Sequence, residues 1–149
     1  MWHTGLLAKL AAVGISDDLL KWFESYLSLR QQRVVVNGQN SSWGHIKAGV
    51  PQGSVLGPLL FLVFINDLTN QVQSCDVRLF ADDTVLYVIA DNPQDCVGAL
   101  NDDLRHIQSW ADEWLVKFSP PKTKSLTLSK SKVEDSTPLI FNNTNIDEV

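Results

Sequence analysis

The sequence predicts an α+β fold in which antiparallel strand pairs pack on helices. Two β-rich runs each double back across a turn signal. Apolar residues recur at helical spacing before, between and after those runs. The 149 residues are 44% hydrophobic and 19% charged, the composition of one ordinary folded domain rather than a disordered or repetitive chain.

Leu6, Leu7, Leu10 and Val13 stop at Gly14, which predicts a short amphipathic helix closed by a glycine cap. Ser16 stands as the N-cap of a second helix, running to about Leu29. Asp17 and Asp18 are favoured in its first turn by the helix dipole, and Leu19, Leu20, Trp22, Phe23, Tyr26 and Leu27 form its apolar face. Arg33-Val34-Val35-Val36 then leads into Asn37-Gly38, with Ser42 to Lys47 expected as the returning strand. After the segment Gly49 to Ser54, a buried helix is expected from about Ser54 to Leu68. Pro58 is tolerable there only in the first turn, where its missing N–H costs nothing.

Val77 to Phe80 and Val85 to Ile89 form a second hairpin around Ala81-Asp82-Asp83-Thr84. Asn92 and Pro93 open the longest helix, whose stripe of Val97, Leu100, Leu104, Ile107, Ala111 and Trp114 ends before Pro120-Pro121. Beyond it, Leu126 and Leu128 alternate as a strand, residues 129–138 read as a polar loop, and Leu139-Ile140-Phe141 starts a strand before Asn142-Asn143.

Twelve Lys and Arg against seventeen Asp and Glu give a net charge of -5, so any nucleic-acid role rests on a local site rather than on a basic body. Cys75 and Cys96 lack the spacing of a zinc site or a disulfide framework. The N-terminus has no secretory pattern. The longest apolar stretch, Val55 to Ile65, is broken by Gly57 and Pro58 and falls short of the ~20 residues of a bilayer span, so no membrane partner is expected.

Asp-Asp occurs three times, and context separates the pairs. Asp17-Asp18 sits behind an N-cap and Asp102-Asp103 lies on the long helix, so both read as solvated helix surface. Asp82-Asp83 is flanked by strands. Adjacent acids repel unless a cation neutralises them, and carboxylate oxygens are the ligands Mg²⁺ prefers. The competing reading is that Asp is simply a good turn residue. His3, His45 and His106 are scattered and read as surface or packing residues rather than ligands.

The stretch Gly49 to Gly57 has a glycine at every fourth position and leads into a helix. It lacks the lysine of a phosphate-binding loop, and Pro51 breaks any helix-dimer face. Two readings remain. One is a bend whose bare backbone admits a large planar partner, with Gln52 and Ser54 as hydrogen-bonding groups; the other is a plain loop into the helix.

Gly49-Val50-Pro51-Gln52-Gly53-Ser54 through Asn66-Asp67-Leu68, then Phe80-Ala81-Asp82-Asp83, then Trp110 through Lys122-Thr123-Lys124 resemble, in order, three palm motifs of reverse transcriptases. The match is nearest to non-long-terminal-repeat retrotransposons of the jockey type and covers nearly the whole chain. The resemblance implies residues 1–149 as a partial reverse transcriptase domain, with palm motifs at 49–68, 80–83 and 110–124 and thumb-side strands from about residue 125. It implies an RNA-directed DNA polymerase palm that uses two Mg²⁺ ions, with Mn²⁺ as an alternative, and takes an RNA template, a DNA primer and deoxynucleoside triphosphates. Asp82 carries over as the principal metal ligand and catalytic residue, with Asp83 as its weaker companion. Pro51, Gln52, Gly53 and Ser54, with Phe80 and Ala81, carry over as the surface against template and nascent base pair. Lys122 carries over as the lysine near the nucleotide's phosphates; the bland alternative is one solvated member of a lysine run. An intracellular location, nucleus or cytoplasm, is implied as well.

The chain departs from the family in places. A further catalytic aspartate would lie upstream of Met1, fingers and most of the thumb are expected to be incomplete, and Ser119 stands where the family usually has Asn. The chain alone is therefore expected to be inactive and to bind nucleic acid weakly. A non-catalytic retroelement remnant or interaction module stays open as an alternative, and a metal phosphohydrolase is less favoured because the motifs run in polymerase order.

Overall fold

A computed structural model describes residues 1–129 and 137–149. The chain divides into two compact units, Met1–Asn66 and Asp67–Val149. The expected mixture of helices and small, mainly antiparallel sheets is present in both.

The first unit opens with α1 (His3–Ala12) and α2 (Asp17–Leu27). The glycine cap on α1 forms as expected: Gly14 has φ +94°, its N–H donates to Ala11 O at 3.0 Å, and the Ile15 N–H donates to Leu10 O at 3.0 Å. Ser16 precedes α2, but its hydroxyl donates to Asp17 Oδ2 at 2.9 Å instead of accepting from the helix. α2 also stops two residues short of the expected end, because Leu29 takes a left-handed φ of +54°.

A hairpin follows in two ladder segments. β1 (Gln31–Gln32) pairs with β4 (Gly44–His45), and β2 (Val35–Val36) with β3 (Gln39–Asn40), all antiparallel. Asn37 and Gly38 both have positive φ, as a two-residue hairpin turn requires. Two outgoing residues between the segments face three returning ones, so a bulge at Ser41 to Trp43 divides the expected continuous return strand. Ser41 bridges the gap: its N–H donates to Val34 O and its hydroxyl accepts from the Val34 N–H, each at 2.9 Å.

α3 (Leu56–Ile65) is shorter than expected at both ends and continues as a 3-10 helix, Asn66–Gln71. α1 packs on α2 and α3 around Leu6, Leu10, Phe23, Leu27, Leu60, Phe64 and Ile65. Buried Lys9 donates from Nζ to Phe64 O at 2.7 Å, which sets a cation against the last turn of α3.

In the second unit β5 (Asp76–Phe80) and β6 (Asp83–Tyr87) pair antiparallel around the two-residue turn Ala81-Asp82. α4 (Pro93–Glu113) begins at Asn92, whose side chain accepts from the Gln94 N–H at 3.1 Å. It ends with Leu115 at φ +54° and the Val116 N–H on Ala111 O at 2.8 Å. A 3-10 turn, Pro120–Lys122, leads to β7 (Lys124–Ser125). The remaining strands are β8 (Ile140–Phe141), β9 (Thr144–Asn145) and β10 (Asp147–Glu148). β8 pairs with β9 across Asn142-Asn143, and β10 runs parallel to β7. Leu126 and Leu128 are not a strand as expected: they lie beyond β7, exposed, and pair with no ladder among the described residues. Residues 130–136 of the expected polar loop lie outside the described residues.

The core of this unit is Leu68, Ile107, Trp110, Ala111 and Phe141, joined by one charged group, Asp103. Phe141 meets Phe118 edge-on at 5.6 Å between ring centroids. Asn101 of α4 holds the adjoining chain by accepting from the Ile140 N–H at 2.9 Å and donating to Pro138 O at 3.2 Å.

Candidate active site

The hairpin β5–β6 alternates strictly. Val77, Leu79, Thr84 and Leu86 are half-buried on one face; Arg78, Phe80, Asp83, Val85 and Tyr87 are exposed on the other. Phe80 pairs with Asp83 as the last rung, and Phe80 is 82% exposed. Ala81 takes φ +51°, a left-handed conformation that bends the chain tightly, and Asp82 completes the two-residue turn. Asp82 and Asp83 thus stand together, exposed, at the end of the β5–β6 ladder. Among the described residues, no group of three or more His, Cys, Asp or Glu could hold a metal ion. The two carboxylates offer the oxygen donors that Mg²⁺ and Mn²⁺ prefer.

In the first unit, Pro51 to Ser54 form a bend whose shape is set internally. The Ser54 hydroxyl donates to Pro51 O at 2.7 Å and accepts from the Gly57 N–H at 3.0 Å, tying the bend to the first turn of α3. Gly57 is closed in: a Cβ there would sit 3.1 Å from Ser54 Oγ and 3.2 Å from Pro51 O. Gly53 is the reverse case, with φ +77° and nothing within 4 Å of a Cβ, so open space lies over its backbone. Gln52 and Gly53 are exposed, while Pro51 and Ser54 are half-buried. Gly49 anchors the approach, its N–H donating to Met1 O at 2.8 Å and its carbonyl lying 2.6 Å from His3 Nε2. Lys122 ends the 3-10 turn of the second unit with its side chain exposed.

Asp103 corrects the sequence reading. It does not lie on solvated surface: it is 0% exposed, whereas Asp102 beside it is exposed and paired with Arg105. Oδ1 accepts from the Gln73 N–H at 2.9 Å, and Oδ2 from the N–H groups of Ser74 at 2.9 Å and Cys75 at 2.8 Å. The carboxylate thereby fixes the three residues that lead into β5. Burial alone would push its pKa up. The N–H donors of Gln73, Ser74 and Cys75, with the Cys75 thiol, outweigh it and hold the group below its ordinary 3.8. The Cys75 thiol is pushed up to about 12, chiefly by its own burial and then by its hydrogen bond to Asp103 and that carboxylate's charge. The available signal was positional: Asp103 falls three residues after Leu100 and four before Ile107, on the apolar stripe itself.

Comparison with known proteins shows the family of the chain. The family described as reverse transcriptase (RNA-dependent DNA polymerase) matches residues 1–141, and the chain belongs to that family. Among curated proteins it is similar to the RNA-directed DNA polymerase from mobile element jockey of Drosophila melanogaster, 35% identical over 136 residues, 87% of this chain. The jockey polymerase of Drosophila funebris is 32% identical over 138 residues, 88% of the chain, and a probable RNA-directed DNA polymerase from transposon BS of Drosophila melanogaster is 34% identical over 130, 83% of the chain. The chain spans 15% of the length of the two jockey proteins and 14% of the BS protein. No solved structure gives a significant match. Among the described residues, no helix is long and apolar enough to cross a membrane.

Proposed function

We propose that this chain forms part of the palm of an RNA-directed DNA polymerase, which joins deoxynucleoside triphosphates to a primer 3′-hydroxyl along an RNA template. The observation that carries this reading is the exposed Asp82-Asp83 pair at the tip of a two-stranded ladder, inside a chain of the reverse transcriptase family. Asp82 and Asp83 would hold Mg²⁺, or Mn²⁺ in its place, with the other ligands supplied by other segments of the polymerase. Bound there, paired metal ions supply charge neutralisation at the attacking and leaving oxygens of phosphoryl transfer.

The chain's own residues divide the remaining work. Gln52 and the open backbone of Gly53 face the template and nascent pair, and the Ser54 hydroxyl keeps that bend in shape. Phe80 and Ala81 set the position of the carboxylates, and Lys122 offers a cation to the nucleotide's phosphates.

The test uses the 149-residue chain and a jockey polymerase carrying it in place of the matching stretch. Paramagnetic broadening by Mn²⁺ should centre on Ala81 to Thr84 and vanish in Asp82→Asn, while Asp102→Asn leaves it intact. In primer extension, Asp82→Asn should abolish synthesis and Asp102→Asn should stay within a few-fold. Equal broadening around Asp17 and Asp18, or equal activity of the two variants, would overturn the assignment.

A further inference from the structure

From Ser25 to Asn66 the chain carries Arg30, Arg33 and Lys47 and not one of its seventeen acidic residues, although the whole protein is at -5. Within that stretch, every residue from Ser28 to His45 is exposed. The bulged hairpin β1–β4 thus stands in solvent with Val34, Val35, Val36 and Trp43 uncovered and no core beneath it. A two-stranded ladder in water is marginal by itself, and an apolar, cationic one invites a partner. Two of its cations already lie on aromatic faces. Arg33 sits 4.7 Å from the centroid of Trp43, and Arg30 sits 5.4 Å from that of Tyr26. Trp43 nevertheless remains 58% exposed, which leaves ring surface for a second planar group.

We propose that this hairpin is a second nucleic-acid contact, a platform for a single-stranded segment. Arg30, Arg33 and Lys47 would meet its phosphates, and a base would stack on Trp43. The absence of acids selects a polyanion, and the exposed indole selects bases over the side chains of an acidic peptide. A single strand is required because bases in a duplex have no free face. The proposal rests on the polymerase reading, since the strand handled would be the template or its displaced continuation. Chain connectivity supports it: β4 runs through Ile46 and Lys47 into Gly49, which His3 and Met1 anchor, and then into the Pro51–Ser54 bend of the same unit.

The test is anisotropy titration of the 149-residue chain against a short labelled single-stranded RNA at low salt. Trp43→Ala should weaken binding roughly 5- to 100-fold, and Trp43→Phe should restore most of it. Arg33→Gln should reduce the slope of log affinity against log salt by about 0.7, whereas Lys21→Gln on α2 should change neither quantity. Circular dichroism matching the parent confirms that these exposed substitutions leave the fold in place. Unchanged affinity in both hairpin variants, or no binding at low salt, overturns the proposal. If affinity is unchanged in both hairpin variants and Gln52→Ala still weakens it, the polymerase reading stands without the hairpin. Equal affinity for polyglutamate overturns it as well, by reducing the surface to bare charge. A dimer that Trp43→Ala dissolves with no effect on RNA makes the hairpin a contact between copies, and that outcome also overturns it.

Discussion

Oδ2 of Asp103 lies 2.8 Å from the backbone nitrogen of Cys75, so a fully buried carboxylate on α4 holds the first residue before the strand that leads to Asp82. Truncating it would leave the N–H groups of Gln73, Ser74 and Cys75 without their acceptor inside the protein. Each such loss costs about 1–3 kcal/mol. Asp103→Ala should therefore destabilise the chain by roughly 3 kcal/mol or more in urea denaturation, against near-neutrality for Asp102→Ala.

The same group should shape stability in acid. Its folded pKa lies below the ordinary 3.8, so its stabilising contribution is complete above that value and fades as pH falls through the lower folded one. The parent chain should lose stability across that window, and Asp103→Asn, which cannot titrate, should give a flatter curve there. Identical slopes for both would show that other carboxylates govern the acid limb.

Cys75 should resist alkylation. With its pKa at about 12, almost no thiolate exists near pH 8, and the thiolate is the reactive form. Iodoacetamide followed by peptide mapping should leave Cys75 unmodified in the native protein. Asp103→Ala, which removes both the hydrogen bond and the charge, should raise its rate several-fold.

Gly53 and Gly57 should fail for different reasons when replaced by Ala. At Gly57 the new methyl meets Ser54 Oγ and Pro51 O at close range, so the loop must shift at a cost of about 1–3 kcal/mol. At Gly53 there is space, and the cost of roughly 1 kcal/mol comes from the left-handed backbone. Thermal denaturation should rank Gly57→Ala as the more damaging substitution, and the reverse order would contradict the close contacts.

Leu115 offers a substitution in the favourable direction. It holds φ +54° at the end of α4 with its side chain 61% exposed, where glycine would carry no Cβ penalty. Leu115→Gly should stabilise the chain by about 0.5–1 kcal/mol in the same denaturation assay.

What the sequence revealed of the fold was whatever short-range chemistry dictates. Asn37-Gly38 announces a hairpin because both positions need positive φ, and Gly14 announces a helix end for the same reason. The bulge beside Ser41 is invisible in this way, since it depends on how many residues oppose it across the ladder. Asp103 was misjudged because its partners lie 28 to 30 residues earlier, and helix spacing says which face a residue occupies but not what meets it there. The placement of Asp82-Asp83 at a hairpin tip was legible because two β-rich runs flank the pair. The inward-turned hydroxyl of Ser54 was not, since the same residue could equally have offered it to a ligand.

The Asn37-Gly38 corner also carries a chemical clock. Asparagine followed by glycine is prone to deamidation, because no Cβ shields the next backbone nitrogen from the side-chain amide, and asparagine is among the thermolabile residues. Loss of ammonia would put a carboxylate into the longest stretch of the chain that has none. Rearrangement to isoaspartate would add a backbone atom to a turn of just two residues. Either product alters the hairpin's charge or register without touching Asp82 or Asp83, so aged protein, scored by isoaspartate mapping, should bind single-stranded RNA more weakly in the anisotropy titration before the Mn²⁺ broadening expected at Ala81 to Thr84 declines.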